Sequence, residues 1–96
     1  DFCLIDGIER DLCALKCLSK VKKGGLIIID NVNWFIPNNL TISPDSRRIK
    51  DGCYSDIWEN FFNVVKSWRS IWTTNGVNDT CIWFKTNPFF KFTSVC

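Results

Sequence analysis

Apolar positions along the chain change period from segment to segment, and each period predicts an element. Phe2, Cys3, Leu4 and Ile5 form an unbroken apolar run that ends on Asp6 and Gly7. A short run of this kind predicts a buried strand over residues 2–6, with Asp6 at its carboxyl end. Over residues 9–22 the spacing shifts to three and four: Leu12, Leu15, Leu18 and Val21 form a stripe with Cys13 and Cys17 beside it, which predicts a helix. Glu9 and Asp11 fall in its first turn and Lys20, Lys22 and Lys23 in or just past its last, as the helix dipole favours. Gly24 is the expected left-handed stop. Leu26, Ile27, Ile28 and Ile29 then run into Asp30, a second buried strand ending in an acid. Strand, helix and strand within about 30 residues predict a βαβ unit with parallel strands.

Residues 33–53 hold Pro37, Pro44, Gly52 and several Asn and Ser, and read as a long loop, of a length more often functional than filler. The strongest helical period follows: Tyr54, Ile57, Trp58, Phe61, Phe62, Val65 and Trp68, with Ser55 as N-cap and Asp56 in the first turn. Such an aromatic stripe is first of all a core face. Residues 69–74 and 79–85 flank Asn75-Gly76 and predict a hairpin closed by a bulge or a three-to-five-residue turn. The segment 86–96 is expected either to form a last edge strand or to cover an exposed sheet face. The predicted architecture is α/β: a parallel βαβ, then a helix and an antiparallel β-hairpin, in one partial domain over residues 1–96. Parallel strands are normally covered on both faces, and two helices are too few for that. The sheet is therefore expected to be completed by an N-terminal half or by a second copy in a homo-oligomer.

Composition narrows the function classes. The 96 residues make one small domain, and 46% hydrophobic against 23% charged residues is an ordinary globular balance. A net charge of +2 gives no electrostatic footprint for nucleic acid, and no apolar run approaches the roughly 18–20 residues that span a membrane. The chain has no His, which removes imidazole general bases and most zinc sites. It also has no Met, and is read as a piece of a larger protein. Cys3, Cys13, Cys17 and Cys81 lie within apolar or helical patterns, so all six cysteines are expected as free thiols in a cytoplasmic setting.

The stretch DFCLIDGIERDLCALKCLSKVKKGGLIIIDNVNW resembles the fourth strand, following helix and fifth strand of class I S-adenosylmethionine-dependent methyltransferases. The form is strand, Asp-Gly, helix, Lys-Gly-Gly, strand, Asp-Asn. The later WRSIWTTNGVNDTCIWFK resembles the antiparallel sixth and seventh strands of the same Rossmann-like fold. Together the two cover about residues 1–86, the C-terminal half of such a domain. The family's Gly-rich cofactor loop and ribose-binding acid belong to the other half, so the resemblance implies that the fragment alone is inactive. It implies methyl transfer from S-adenosylmethionine to an oxygen or nitrogen of a small-molecule acceptor. Asp30 and Asn31 are then the catalytic, acceptor-side residues, and Asp6 and Gly7 lie toward the cofactor.

The local pattern is most similar to cation-dependent O-methyltransferases. In that case Asp6, Asp30 and Asn31 become oxygen ligands for a hard cation such as Mg²⁺, which would lower the pKa of an acceptor hydroxyl. The chain departs from that subfamily at Glu9, where a Lys is expected. Each site residue also has a structural explanation: the two acids can cap the turns that follow them, and Asn31 can serve a left-handed turn. Arg10 is expected as a solvated first-turn residue, and Trp34 and Phe35 as walls of an acceptor pocket or as core. The competing reading is a non-catalytic α/β interaction module of the same lineage.

Overall fold

A computed structural model of the chain describes residues 2–7, 9–39 and 41–85. The elements are β1 (Phe2–Ile5), α1 (Arg10–Lys20), β2 (Leu26–Asp30), α2 (Asp56–Val65), β3 (Arg69–Thr74) and β4 (Asp79–Phe84), with two single 3₁₀ turns, Val32–Trp34 and Ile49–Asp51, inside the long loop. They form a small α/β domain with one mixed sheet, ordered β1-β2-β4-β3. β1 and β2 are parallel, as the βαβ pattern predicts, with Phe2 opposite Leu26 and Ile5 opposite Ile29. β4 pairs antiparallel with both β2 and β3, so the hairpin docks on the parallel pair through its second strand. The expectations for the segment 86–96 lie outside the described residues.

Helix α2 starts where its sequence says it should. Ser55 Oγ accepts from the Trp58 backbone N–H at 3.2 Å, and Asp56 and Glu59 stand in the first turn. The hairpin turn spans Asn75 to Asn78: Gly76 takes φ +90°, and the Asn75 side chain accepts from the Val77 and Asn78 amides. Helix α1 differs from expectation at both ends. It begins at Arg10 because Glu9 is left-handed (φ 57°), and it ends with Val21 extended. Gly24 is not its cap; it serves the next turn, with φ +87° and its N–H donating to the Lys85 carbonyl at 2.6 Å.

Both helices cover the same sheet face. Cys3 on β1 is joined to Cys17 on α1, and Phe61 on α2 meets Trp83 on β4 edge to face at 5.3 Å. Their register partners Ile27, Ile29, Cys81 and Trp83 are buried in one core with Ala14, Trp58, Phe61 and Val65. Pleating sends the alternate residues to the opposite face. There Phe2 (66%), Leu4 (59%) and Ile71 (50%) are exposed, beside half-buried Leu26, Ile28, Ile82 and Phe84. No described helix lies on that side, although the unbroken run in β2 predicts cover on both faces.

The six-free-thiol expectation is corrected by the same packing. Cys3 and Cys17 face each other across the β1–α1 contact with Cα atoms 6.7 Å apart, a separation that a disulfide spans, and they form one. Cys13, Cys53 and Cys81 are free. Burial pushes the Cys81 thiol up to about 12, and it behaves as an apolar core group. No described helix is long and apolar enough to cross a membrane.

Phe61 links the α2 stripe to the sheet, fully buried between Trp58 and Trp83. Replacing it by Ala leaves a cavity among rigid rings, so Phe61→Ala should cost about 3–5 kcal/mol. Exposed Ile42→Ala should stay within about 0.5 kcal/mol. Urea midpoints of the two variants measure the difference; equal midpoints would place the core elsewhere.

Candidate functional site

Because β1 and β2 are parallel and Ile5 pairs with Ile29, the residues that follow, Asp6 and Asp30, leave the sheet at the same rim. In open α/β sheets ligands bind outside the carboxyl ends of parallel strands. Two non-glycine residues in the described chain have positive φ, Glu9 (57°) and Asn31 (56°), and each lies in the turn just past one of these strand ends. Gly7 adds a third left-handed position at φ +114°. Such backbone is costly for side-chain-bearing residues and concentrates at sites where geometry matters more than local stability.

The two acids are held differently. Asp6 is exposed and accepts from Arg10 Nη2 at 2.8 Å, one helical turn on. Asp30 is half-buried, and its Oδ1 accepts from the Thr80 hydroxyl at 2.8 Å and from the Asn31 N–H at 3.0 Å. Thr80 stands opposite Asp30 in the β2–β4 ladder, which explains the contact. Asn31 takes the left-handed turn and starts the 3₁₀ turn behind it.

Arg10 is not the solvated residue its place in the first turn suggests. Only 15% of its side chain is exposed; the guanidinium carbon lies 6.0 Å from the Trp34 ring centre and 5.8 Å from that of Phe35. Its Nε is buried without a hydrogen-bond partner. Phe35 continues the aromatic contacts inward, stacked on Trp58 at 4.9 Å and edge-on to Tyr54 at 5.9 Å. Beside Arg10 opens a cavity of about 190 Å³, bounded by Gly7, Glu9, Asp11, Phe35, Tyr54 and Trp58. Gly7, Phe35 and, through Arg10, Asp6 thus gather at one place. Asp30 and Asn31 share the rim but do not line the cavity, because the Asp30 carboxylate turns toward β4.

No three His, Cys, Asp or Glu residues among those described are grouped to hold a metal ion. The rim offers two carboxylates and the Asn31 amide.

A second polar cluster has no counterpart in the sequence reading. Asp79, at the start of β4, is fully buried. Its carboxylate accepts from Ser43 Oγ at 2.6 Å, from Trp72 Nε1 at 2.7 Å and from the Thr41 hydroxyl. Its own N–H donates to Asn33 Oδ1 at 3.0 Å, and the Asn33 carbonyl accepts from the Arg47 N–H. Burial raises a carboxyl's pKa, but the Ser43, Thr41, Thr74 and Trp72 donors favour the charged form and hold Asp79 below its ordinary value. These bonds fasten the long loop to the hairpin. The available signal was the loop's Thr and Ser content, which carries no pairing information without the fold.

Comparison of the chain with protein-family models, with characterised proteins and with solved structures gives no match.

A folded pKa below the unfolded one stabilises fully above the unfolded value of about 4, and that contribution drains as pH falls through the lower folded value. Asp79→Asn should therefore cost about 1–3 kcal/mol at pH 7 and flatten the acid limb of stability. Urea midpoints between pH 7 and pH 2 test this; a variant whose acid limb parallels the parent's assigns the acid sensitivity to other groups.

Proposed function

We propose that the chain forms the acceptor-side part of a Rossmann-like, S-adenosylmethionine-dependent methyltransferase acting on an oxygen of a small planar molecule. The observation that carries this reading is one rim: two parallel strands end in register on Asp6 and Asp30, both following turns are left-handed, and an aromatic-walled cavity opens beside them. The sheet also supports it. Among the described residues β1 has a neighbour on one side only, and the face of Phe2, Leu4 and Ile28 is the kind of surface that further strands and helices of a doubly wound domain cover.

S-adenosylmethionine, when bound, supplies the methyl group as an electrophile. Asp6 and Gly7 are the residues of this chain that would face it. They suit that role: Gly7 is exposed, with open space where a Cβ would point, and the Asp6 carboxylate is 58% exposed. The rim suits a resident divalent cation less well. Arg10 already places a guanidinium on Asp6, so the paired site carries one uncompensated carboxylate instead of two. The reading is therefore metal-free, and no step passes through Mg²⁺.

The rest follows from the chain's own groups. Phe35, Tyr54 and Trp58 offer flat ring surfaces against which an aromatic acceptor can stack. Arg10, unable to act as a base and already paired with Asp6, orients the acceptor oxygen as a hydrogen-bond donor, and the acceptor hydroxyl gives its proton to solvent as the methyl arrives. Asp30, held by Thr80 and Asn31, fixes the far side of the rim. The work is chiefly positioning, which brings oxygen and methyl carbon into line.

The test uses the full-length protein, labelled S-adenosylmethionine and a catechol. Methyl transfer is expected, and Asp30→Ala should lower it on the order of a hundredfold while leaving cofactor affinity nearly unchanged. Cofactor binding with Asp30→Ala at the parent rate would remove Asp30 from the mechanism. No cofactor binding would overturn the class. In that event the exposed face of Phe2, Leu4 and Ile71 favours the second reading, a non-catalytic interaction module.

A further inference from the structure

Beyond Arg10, which also lines the aromatic cavity, three cysteines share a second opening along α1. The Cys3–Cys17 disulfide and the exposed Cys13 thiol all line a cavity of about 290 Å³, together with Arg10, Lys16 and Lys20. Cys13 and Cys17 are four residues apart in a continuous helix, so their side chains stand on the same face one turn apart. Cys17 is thus bonded to one sulfur across the β1–α1 contact, and a second cysteine stands one turn away along its own helix. The other free thiols among the described residues are not equivalent. Cys81 is buried and Cys53 half-buried, and burial raises the pKa of both, whereas Cys13 opens to solvent.

We propose that Cys3, Cys13 and Cys17 form a thiol–disulfide exchange site in which Cys13 competes with Cys3 for Cys17. The step needs no outside oxidant. Cys13 gives its proton to solvent, and its thiolate sulfur bonds to Cys17 Sγ. The Cys3–Cys17 bond breaks, and the electron pair leaves on Cys3 Sγ, which takes a proton from solvent. One disulfide replaces another with no net oxidation. The structural consequence is large for so local a change. The Cys3–Cys17 bond ties the edge strand β1 to α1, whereas a Cys13–Cys17 bond lies within α1, must draw together Cβ atoms that a regular helix holds about 5–6 Å apart, and leaves β1 to its ladder with β2, buried Ile5 and the Asp6–Arg10 ion pair. Lys16 and Lys20 at the opening favour anionic small thiols as the reagents that enter the exchange. The proposal does not rest on the methyltransferase reading.

Trypsin separates the three sulfurs, because Arg10, Lys16 and Lys20 cut the chain into residues 1–10, 11–16 and 17–20, each with one of these cysteines. The full chain is held at mildly alkaline pH in a buffer of oxidised and reduced glutathione, quenched in acid, alkylated and digested without reduction. Two linked products are expected: 1–10 with 17–20, and 11–16 with 17–20. Cys13→Ser, at an exposed position that leaves the core intact, should abolish the second and keep the first. Cys3→Ser should give the second alone. Amide exchange of β1 should quicken in Cys3→Ser relative to Cys13→Ser. Finding only the 1–10 with 17–20 product, pairing of Cys13 with any other cysteine, or three free thiols throughout would each overturn the proposal.

Discussion

A four-residue strand at a sheet edge has little to hold it. Among the described residues, β1 gains one ladder of hydrogen bonds, to β2, and one buried side chain of consequence, Ile5. Two alternate residues, Phe2 and Leu4, stay exposed and contribute little burial. The rim nevertheless depends on this strand, because its register with β2 brings Asp6 to the level of Asp30. A slip of one residue would send Ile5 to the uncovered face and turn Asp6 away from Arg10. Three contacts resist such a slip: Ile5 in the core, the Asp6–Arg10 ion pair, and the Cys3–Cys17 bond to α1. The ion pair is exposed on the Asp6 side and is the weakest of the three. Burial of Ile5 and the covalent link therefore carry most of the restraint.

Legibility in the sequence followed the range of the interaction. Where one period dominated, as in Leu26–Asp30, Asp56–Val65 and the hairpin, the elements lie where the pattern puts them. The ends of α1 were misplaced because Glu9 takes a conformation that its residue type disfavours, and Gly24 serves a turn bonded to Lys85, sixty-one positions away. Arg10 departs from its expected environment for a related reason. A first-turn arginine is ordinarily solvated, and only the fold brings Trp34 and Phe35 over it. The disulfide is not legible in the sequence, because helical and apolar context marks Cys3 and Cys17 only as buried. Whether two buried thiols meet is a tertiary fact.

The long loop shows the same division. Its Pro and Gly content correctly argues against regular structure, yet it is not loose where it meets the hairpin. Buried Thr41 and Ser43 give their hydroxyls to Asp79, and Asn33 accepts from the Asp79 amide. A buried carboxylate with several donors is satisfied only if all of them arrive together, so the loop and the hairpin must order as a unit. Tyr54, which walls the cavity, is bonded through its backbone N–H to the Phe35 carbonyl at 2.8 Å. The buried polar cluster and the cavity are thus two ends of one ordered segment, which gives the loop's length a purpose beyond connection.

The two faces of β2 bring these observations together. Ile27 and Ile29 are fully buried beneath the helices, while Leu26 and Ile28 face the side on which no described helix lies. A strand that met water on one face would be expected to alternate with polar residues, and this one does not. Ile82 and Phe84 on β4 repeat the departure at the positions opposite Ile28 and Leu26, so the apolar character runs across β1, β2 and β4 and reaches Ile71 on β3. Apolar surface on that scale is costly to leave in water. Polar groups on that face lie toward its margins: Asp30 and Thr80 are bonded to each other at the rim, and Arg69 and Thr73 stand on the edge strand β3. The same sheet therefore separates two demands: an apolar centre that favours cover, and a carboxyl-end rim where the charged and left-handed residues collect.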